Sequence, residues 1–279
     1  MTVLGTPYRL GATSYVWPAG LLPNIRKLGP LVDDVELVLF EVDGHANLPG
    51  AADLAEMNAL AETHHLSYTV HLPLDLTLAR PDSLKKAKKV IACTRGLQPW
   101  AYVLHLDGRQ PVAGPALSTV EGAGESVEGE PGPATLARWR QDARHALEQI
   151  ADLAGGMHWL CIENLENYAP EHFLPLLEQV PVSLCVDAGH LWLTGRDPLS
   201  FLDRYLPWTR VIHLHGVKVS GPRSSDHESL VHLGTEHVAQ VLDLLSTRDY
   251  AGVLTLEVFG REDFFSSRSL VAEVINGNR

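Results

Sequence analysis

The chain has 279 residues, 45% of them hydrophobic and 20% charged, and Asp and Glu exceed Lys and Arg to give a net charge of −12. That apolar share supplies a large core, the acidic balance disfavours non-specific binding to nucleic-acid phosphates, and no apolar run reaches the ~18 residues of a membrane span. The length exceeds that of most domains but suits a single α/β barrel over 1–279. The opening MTVLGTPYRLGATSY lacks the basic and apolar regions of a signal peptide, so a cytoplasmic protein is expected. Cys93, Cys161 and Cys185 show no CxxC spacing, which argues against a disulfide framework or a thiolate zinc knot.

In chain order, a first strand is expected near 8–13, followed by a helix in LPNIRKLGPLV (22–32) and a strand in DVELVLFE (34–41). The helix AADLAEMNALAETHH (51–65) leads to the strand SYTVH (67–71), and SLKKAKKVIACTRG (83–96) to AYVLH (101–105). Asp82 and Ser83 are candidate caps for 83–96, whose Lys residues form a solvated face opposite an apolar stripe of Leu84, Ala87, Val90 and Ile91. The stretch 109–133, rich in Gly, Pro, Ser and Glu, breaks the rhythm. It reads as a mobile acidic insertion on the active-site side, or as a lid over a bulky substrate. Helix TLARWRQDARHALEQIADLAGG (135–156), stopped by Gly155, precedes the strand HWLCIE (158–163), and EHFLPLLEQV (171–180) reads as a helix before VSLCVD (182–187). PLSFLDRYL (198–206), RVIH (210–213), EHVAQVLDLLSTRDY (236–250) and GVLTLE (252–257) continue the alternation, which predicts a (β/α)8 barrel.

Seven apolar runs end in a side chain able to bind metal: Glu41, His71, His105, Glu163, Asp187, His213 and Glu257. Parallel strands put their C-terminal ends on one face, so these groups converge where such barrels carry their chemistry. Burying so many carboxylates without a cation is costly; His with carboxylate suits zinc or manganese, and the carboxylates can bridge two ions. In VDAGH (186–190), His190 follows Asp187 across a short turn and can face the same cavity; the simpler account is an Asp that caps the next helix. Cys161 and Cys185 share strand parity with Glu163 and Asp187 and are expected to pack inside the barrel.

The order of His71 in TVHLP, His105 in VLHLDG, Glu163 in CIEN, Asp187 and His190 in VDAGH, His213 and His215 in VIHLHG, and Glu257 in TLEVF resembles the xylose-isomerase-like barrels, including the endonuclease IV group. That resemblance implies one metal on His71, His105 and Glu163 and a second on Glu163, Asp187, His213 and Glu257. It also implies a third in some members, matched here by His190 and His227. The pattern departs from the group at the third site, where Ser225 stands two residues before His227 and the acid is the adjacent Asp226; two metals are therefore expected.

A narrower set, VELVLFEVD, YTVHLPLDL, PWAYVLHLDG, IENLENY, VSLCVDAGHLWL, VIHLHGV, DHESLVHL and GVLTLEVFG with EDFFSS, resembles the cobamide-remodelling phosphodiesterases of the CbiR type. It implies metal-assisted hydrolysis of the phosphodiester in a cobamide's nucleotide loop, with a corrinoid as small-molecule substrate. Glu163 or Glu257 would then bridge ions and His190 or His227 orient the phosphate. Glu41 and the group Asn164, Glu166, Asn167 and Tyr168 match that family. Arg109, Arg196 and Lys218 are candidate cations for reaching the phosphate from loops, and Trp17, Tyr168 and Trp192 are candidate aromatics for packing on a macrocycle, the alternative being packing on the barrel rim alone. Neither a GxSxG elbow nor a phosphate-binding GxxxxGK[ST] loop occurs. The competing readings are a sugar isomerase or epimerase in which Glu163 and Glu257 shuttle a proton, an apurinic-site DNA repair enzyme, and a non-catalytic corrinoid-binding protein.

Overall fold

A computed structural model of the protein describes residues 2–42, 45–74, 78, 80–106, 132–220 and 223–277. The insertion expected at 109–133, with Arg109, lies outside these residues except for Gly132 and Pro133, which open a helix. The strands are β1 (Arg9–Thr13), β2 (Asp34–Val38), β3 (Glu41–Val42), β4 (His45–Ala46), β5 (Ser67–His71), β6 (Ala101–His105), β7 (Leu160–Glu163), β8 (Ser183–Asp187), β9 (Thr209–Leu214), β10 (Gly216–Ser220), β11 (Arg223–Glu228) and β12 (Val253–Leu256). The helices are α1 (Leu21–Leu28), α2 (Ala51–His64), α3 (Pro81–Thr94), α4 (Pro133–Ala154), α5 (Ala188–Leu193), α6 (Pro198–Tyr205), α7 (Thr235–Thr247) and α8 (Arg261–Gly277).

Eight of the strands close a parallel barrel in the order β1, β2, β5, β6, β7, β8, β9, β12 and back to β1. Their near-continuous aliphatic runs are explained by burial on both faces, against the helices outside and against each other inside. Ala101, Val103, Cys161, Cys185 and Val211 form a cluster separate from the helix-facing core, so both cysteines are packing residues of the interior, as strand parity predicts. Register does the rest: His105 pairs with Glu163 and Asp187 with His213, which puts the four side chains at one level of the C-terminal mouth. The β3–β4 ribbon follows β2, and a β10–β11 hairpin rises directly from β9.

Several expected elements differ. The run at 34–41 is not one strand, because β2 stops at Val38, where its pairing with β5 ends at His71. The segment EHFLPLLEQV forms two short 3-10 turns, Pro170–His172 and Leu174–Glu178; Pro175 has no N–H to give an α-helix, and its ring crowds the preceding turn. Helix α3 begins earlier, at Pro81 behind Arg80, and neither Asp82 nor Ser83 is its N-cap. Helix α8 was not expected, whereas α5 is the helix that the capping account of Asp187 called for. Gly155 ends α4 in the left-handed region at φ 93°, as read from the sequence. Among the described residues no helix is long and apolar enough to cross a membrane.

Candidate metal centre

Glu163 ends β7 with 1% of its surface exposed, and its two oxygens face different neighbours. Oε2 lies 3.0 Å from His71 Nε2 and 3.1 Å from His105 Nε2, while Oε1 lies 3.4 Å from His213 Nδ1. His213 Nδ1 is also 3.0 Å from Glu257 Oε2 and 3.8 Å from Asp187 Oδ2. Two donor sets result, His71, His105 and Glu163 on one side and Glu163, Asp187, His213 and Glu257 on the other, each with its ligand atoms within 4.8 Å of one another. Glu163 belongs to both, one oxygen to each. His213 Nδ1 and Glu257 Oε2 are buried and make no well-aligned hydrogen bond among the described residues, so the second set presents two unsatisfied polar atoms to one point that a divalent cation fits. Imidazole with carboxylate is a donor mixture for zinc or manganese.

The ligand atoms are aimed by their neighbours. His71 Nδ1–H donates to the Leu72 carbonyl at 2.8 Å, which leaves Nε2 free for the centre. His213 Nε2 lies 3.0 Å from Glu36 Oε2, with both residues fully buried, which leaves Nδ1 for the centre. Asp187 is held by its main chain: its N–H donates to Asn164 Oδ1 and its carbonyl accepts from Asn164 Nδ2, both at 2.9 Å. Asp187 is also the N-cap of α5, accepting from the His190 N–H at 2.7 Å, so the capping and metal-facing accounts of VDAGH hold together. His190 Nδ1 lies 3.1 Å from the Asn164 carbonyl, and its Nε2 faces outward toward Glu166 Oε2 at 3.6 Å and Asp226 Oδ2 at 3.8 Å. His227, at φ 52°, sets Nδ1 3.5 Å from Glu257 Oε2.

Electrostatics follow from this crowding. Burial disfavours charge on Glu163 and Asp187, but imidazoles outweigh it, His213 and His105 for Glu163, His215 and His190 for Asp187, and both carboxyls are held well below their ordinary range. Burial opposes protonation of all three buried rings, yet Glu163 pushes the His71 pKa up to about 9; Cys185 and the carboxylates of Glu257, Glu36 and Glu163 raise His213 well above its usual value, and Asp187 and Glu163 raise His190. Without a cation, His71 and His213 therefore favour their protonated forms and Glu163 and Asp187 their ionised ones.

The structure thus brings together His71, His105, Glu163, Asp187, His190, His213, Asp226, His227 and Glu257. Other expected residues lie elsewhere. Glu41 is not at the centre: it falls beyond β2, in the β3–β4 ribbon, and its Oε1 pairs with Lys89 Nζ at 2.6 Å. The carboxylate that β2 does deliver is Glu36, which the strand-end pattern missed because it lies inside the strand. Asn164 is engaged with Asp187 and Tyr168 with the Leu106 carbonyl and the His172 ring, so both are held by contacts between the segments that follow the strand ends. Trp17 packs on Phe264 and Phe265, Trp192 meets the His237 ring, and Arg196 forms a two-pronged pair with Glu171; these are rim contacts. Lys218 is exposed on β10 of the hairpin.

Comparison with known proteins agrees with this architecture. Among solved structures the chain is similar to a D-tagatose 3-epimerase-like protein at 16% identity and a TM-score of 0.70, covering 97% of this chain and 99% of that one. It is similar to the 3-keto-D-glucoside 4-epimerase of E. coli at 13% identity and 0.66, over 96% and 99%. Endonuclease IV from Thermus thermophilus gives 19% identity and 0.62, over 95% and 99%. At these identities the likeness is one of fold, and no curated protein matches the sequence. Residues 23–276 match the family described as the xylose isomerase-like TIM barrel, and the chain belongs to that family.

Proposed function

We propose that this protein is a metal-dependent phosphodiesterase that opens the nucleotide loop of a cobamide, a small-molecule substrate rather than a nucleic acid, using two divalent ions of the zinc or manganese kind. The observation that carries the hydrolytic part is Glu163, whose separate oxygens face two separate donor sets 3.0–3.4 Å away, the arrangement expected of a bridging carboxylate. A bound ion pair would polarise a phosphoryl group and neutralise its developing charge. His71, His105 and Glu163 would hold one ion, and Glu163, Asp187, His213 and Glu257 the other. His190 Nε2 and His227 border the outward side of the second set, where they can donate to a phosphoryl oxygen and orient it. The exposed Lys218 adds positive charge from the hairpin. The choice of a corrinoid rests on the segments from VELVLFEVD to GVLTLEVFG that resemble cobamide-remodelling phosphodiesterases, and the acidic balance of the chain supports a small molecule over DNA.

A second reading is a sugar isomerase or epimerase, favoured by the names of the similar structures. Glu163 and Glu257 would then act as the acid and base on a sugar carbon. The deciding experiment incubates zinc- or manganese-loaded protein with adenosylcobalamin, with a chelated control, and resolves corrinoids by chromatography and mass. A metal-dependent cobinamide product with release of the nucleotide is the expected result. Unchanged corrinoid from folded, metal-replete protein would sink the cobamide reading and put the isomerase first.

A further inference from the structure

His215 belongs to neither donor set of the centre, yet it is fully buried beside it. Its Nε2 lies 3.1 Å from Asp187 Oδ1 and 3.2 Å from Oδ2. Its Nδ1 is met at 2.9 Å by the backbone N–H of His227, a residue held at φ 52° at the end of the hairpin. A backbone N–H can only donate, so Nδ1 is the acceptor and the ring proton sits on Nε2, aimed at Asp187. The Gly216 carbonyl, 3.2 Å from Nδ1, is then a neighbour and not a bonded partner. The ring fits because α5 has glycine where it crosses: a Cβ on Gly189 would lie 2.1 Å from Cε1 and 2.3 Å from Nε2.

We infer that His215 is a positioning residue that ties the β10–β11 hairpin to the metal carboxylate Asp187. Through Nε2–H it fixes the rotation of Asp187, and through Nδ1 it fixes the strained backbone of His227, whose ring borders Glu257 at 3.5 Å. His190, His215 and His227 lie close enough to suggest a three-imidazole cation site, but both nitrogens of His215 are already engaged by the protein, which leaves it no lone pair for an ion. The hairpin that carries Lys218 is therefore held in place by the same ring that aims a ligand of the centre.

The inference rests on the metal reading and not on any substrate, and two isosteres separate the ring's two bonds. In His215→Asn the amide oxygen replaces Nδ1, keeping the His227 bond and losing the Asp187 bond; in His215→Gln the amide nitrogen replaces Nε2, with the opposite effect. Zinc affinity is read by competition with a chromogenic chelator, ion content by elemental analysis, and hairpin order by hydrogen exchange over residues 216–228, each on protein shown to be folded by circular dichroism. His215→Asn is expected to weaken zinc binding by about tenfold or more with exchange unchanged, and His215→Gln to hold affinity within about threefold while the hairpin exchanges faster. Loss of one whole ion in both variants would make His215 a ligand and overturn the inference. So would unchanged affinity and exchange in both, or a nitrogen NMR spectrum of the zinc-loaded wild type with the ring proton on Nδ1. That spectrum decides the matter even if neither variant folds. Wild-type protein that binds no zinc would overturn the metal reading and this inference together, whereas normal wild-type binding with unaltered variants overturns this one alone.

Discussion

At the scale of single residues, the most consequential side chain of the centre after its ligands is Glu36. Its carboxylate 3.0 Å from His213 Nε2 leaves Nδ1 as the nitrogen that faces the candidate metal centre and would raise its basicity toward an ion. Glu36→Gln, which keeps the shape and loses the charge, is expected to weaken zinc binding about tenfold, and Glu36→Ala about a hundredfold. Chelator competition at fixed pH measures both, and unchanged affinity in Glu36→Ala would remove the residue from the centre. The ligands themselves were legible because a His or acid at the exit of an aliphatic run has a simple physical address: the end of a buried strand. Glu36 was not, because that rule looks at run ends. The signal that finds it is alternation: in DVELV, Asp34 and Glu36 are charged at the same parity, both are fully buried, and period two sends both to the barrel interior. Glu41 was misplaced for the complementary reason, since an aliphatic run continues past the point where the neighbouring strand offers partners.

At the scale of elements, strands β5 and β6 have the bounds the sequence suggests, and the other barrel strands differ by one to three residues at one or both ends. Their aliphatic runs are bounded by turns, and parallel pairing leaves little freedom in length. Helices were less legible where they are short or carry a conflicting residue. The six-residue α5 rests on one cap from Asp187 and on contacts made after folding, and α8 lacks a strong amphipathic stripe: Phe264, Ser267, Leu270, Val271 and Val274 are buried, with a serine in their midst. Helix α6 shows what a legible start looks like, with Asp197 accepting from the N–H groups of Leu199 and Ser200, both at 3.1 Å, ahead of Pro198 at the first position. Asp197→Ala is expected to cost about 1 kcal/mol, read as a lower denaturant midpoint, with zinc affinity unchanged. A loss of affinity in step with the loss of stability would mean that α6 supports the centre more directly than its cap geometry implies.

At the scale of the whole molecule, the centre makes stability, pH and metal interdependent. In the metal-free protein Glu163 pushes the His71 pKa up to about 9 and His213 is also raised well above its ordinary value, while the surrounding imidazoles hold Glu163 and Asp187 well below ordinary carboxyls. A histidine with a folded pKa above its unfolded value near 6.5 stabilises fully below about 6.5 and loses that contribution as pH rises through the folded pKa. The two carboxylates contribute above their unfolded values near 4 and lose that contribution only as pH falls toward their depressed folded ones. The two windows overlap between roughly pH 4.5 and 6.5, where the metal-free protein should be most stable; from there to pH 9 its melting temperature should fall. Metal changes the balance, because an ion must take the place of the protons on His71 and His213. Zinc binding at pH 7 is therefore expected to release protons, measurable by calorimetry in buffers of different ionisation heat, and the release should diminish as pH passes about 9. Since binding that releases protons tightens as pH rises, and each hundredfold excess over Kd adds about 2.7 kcal/mol, the gap between zinc-loaded and chelated melting temperatures should widen from pH 6 to 9. Parallel curves for the loaded and chelated protein across that range would mean that the ion and the protons do not compete, and that the buried imidazoles of the barrel mouth are not where the metal binds.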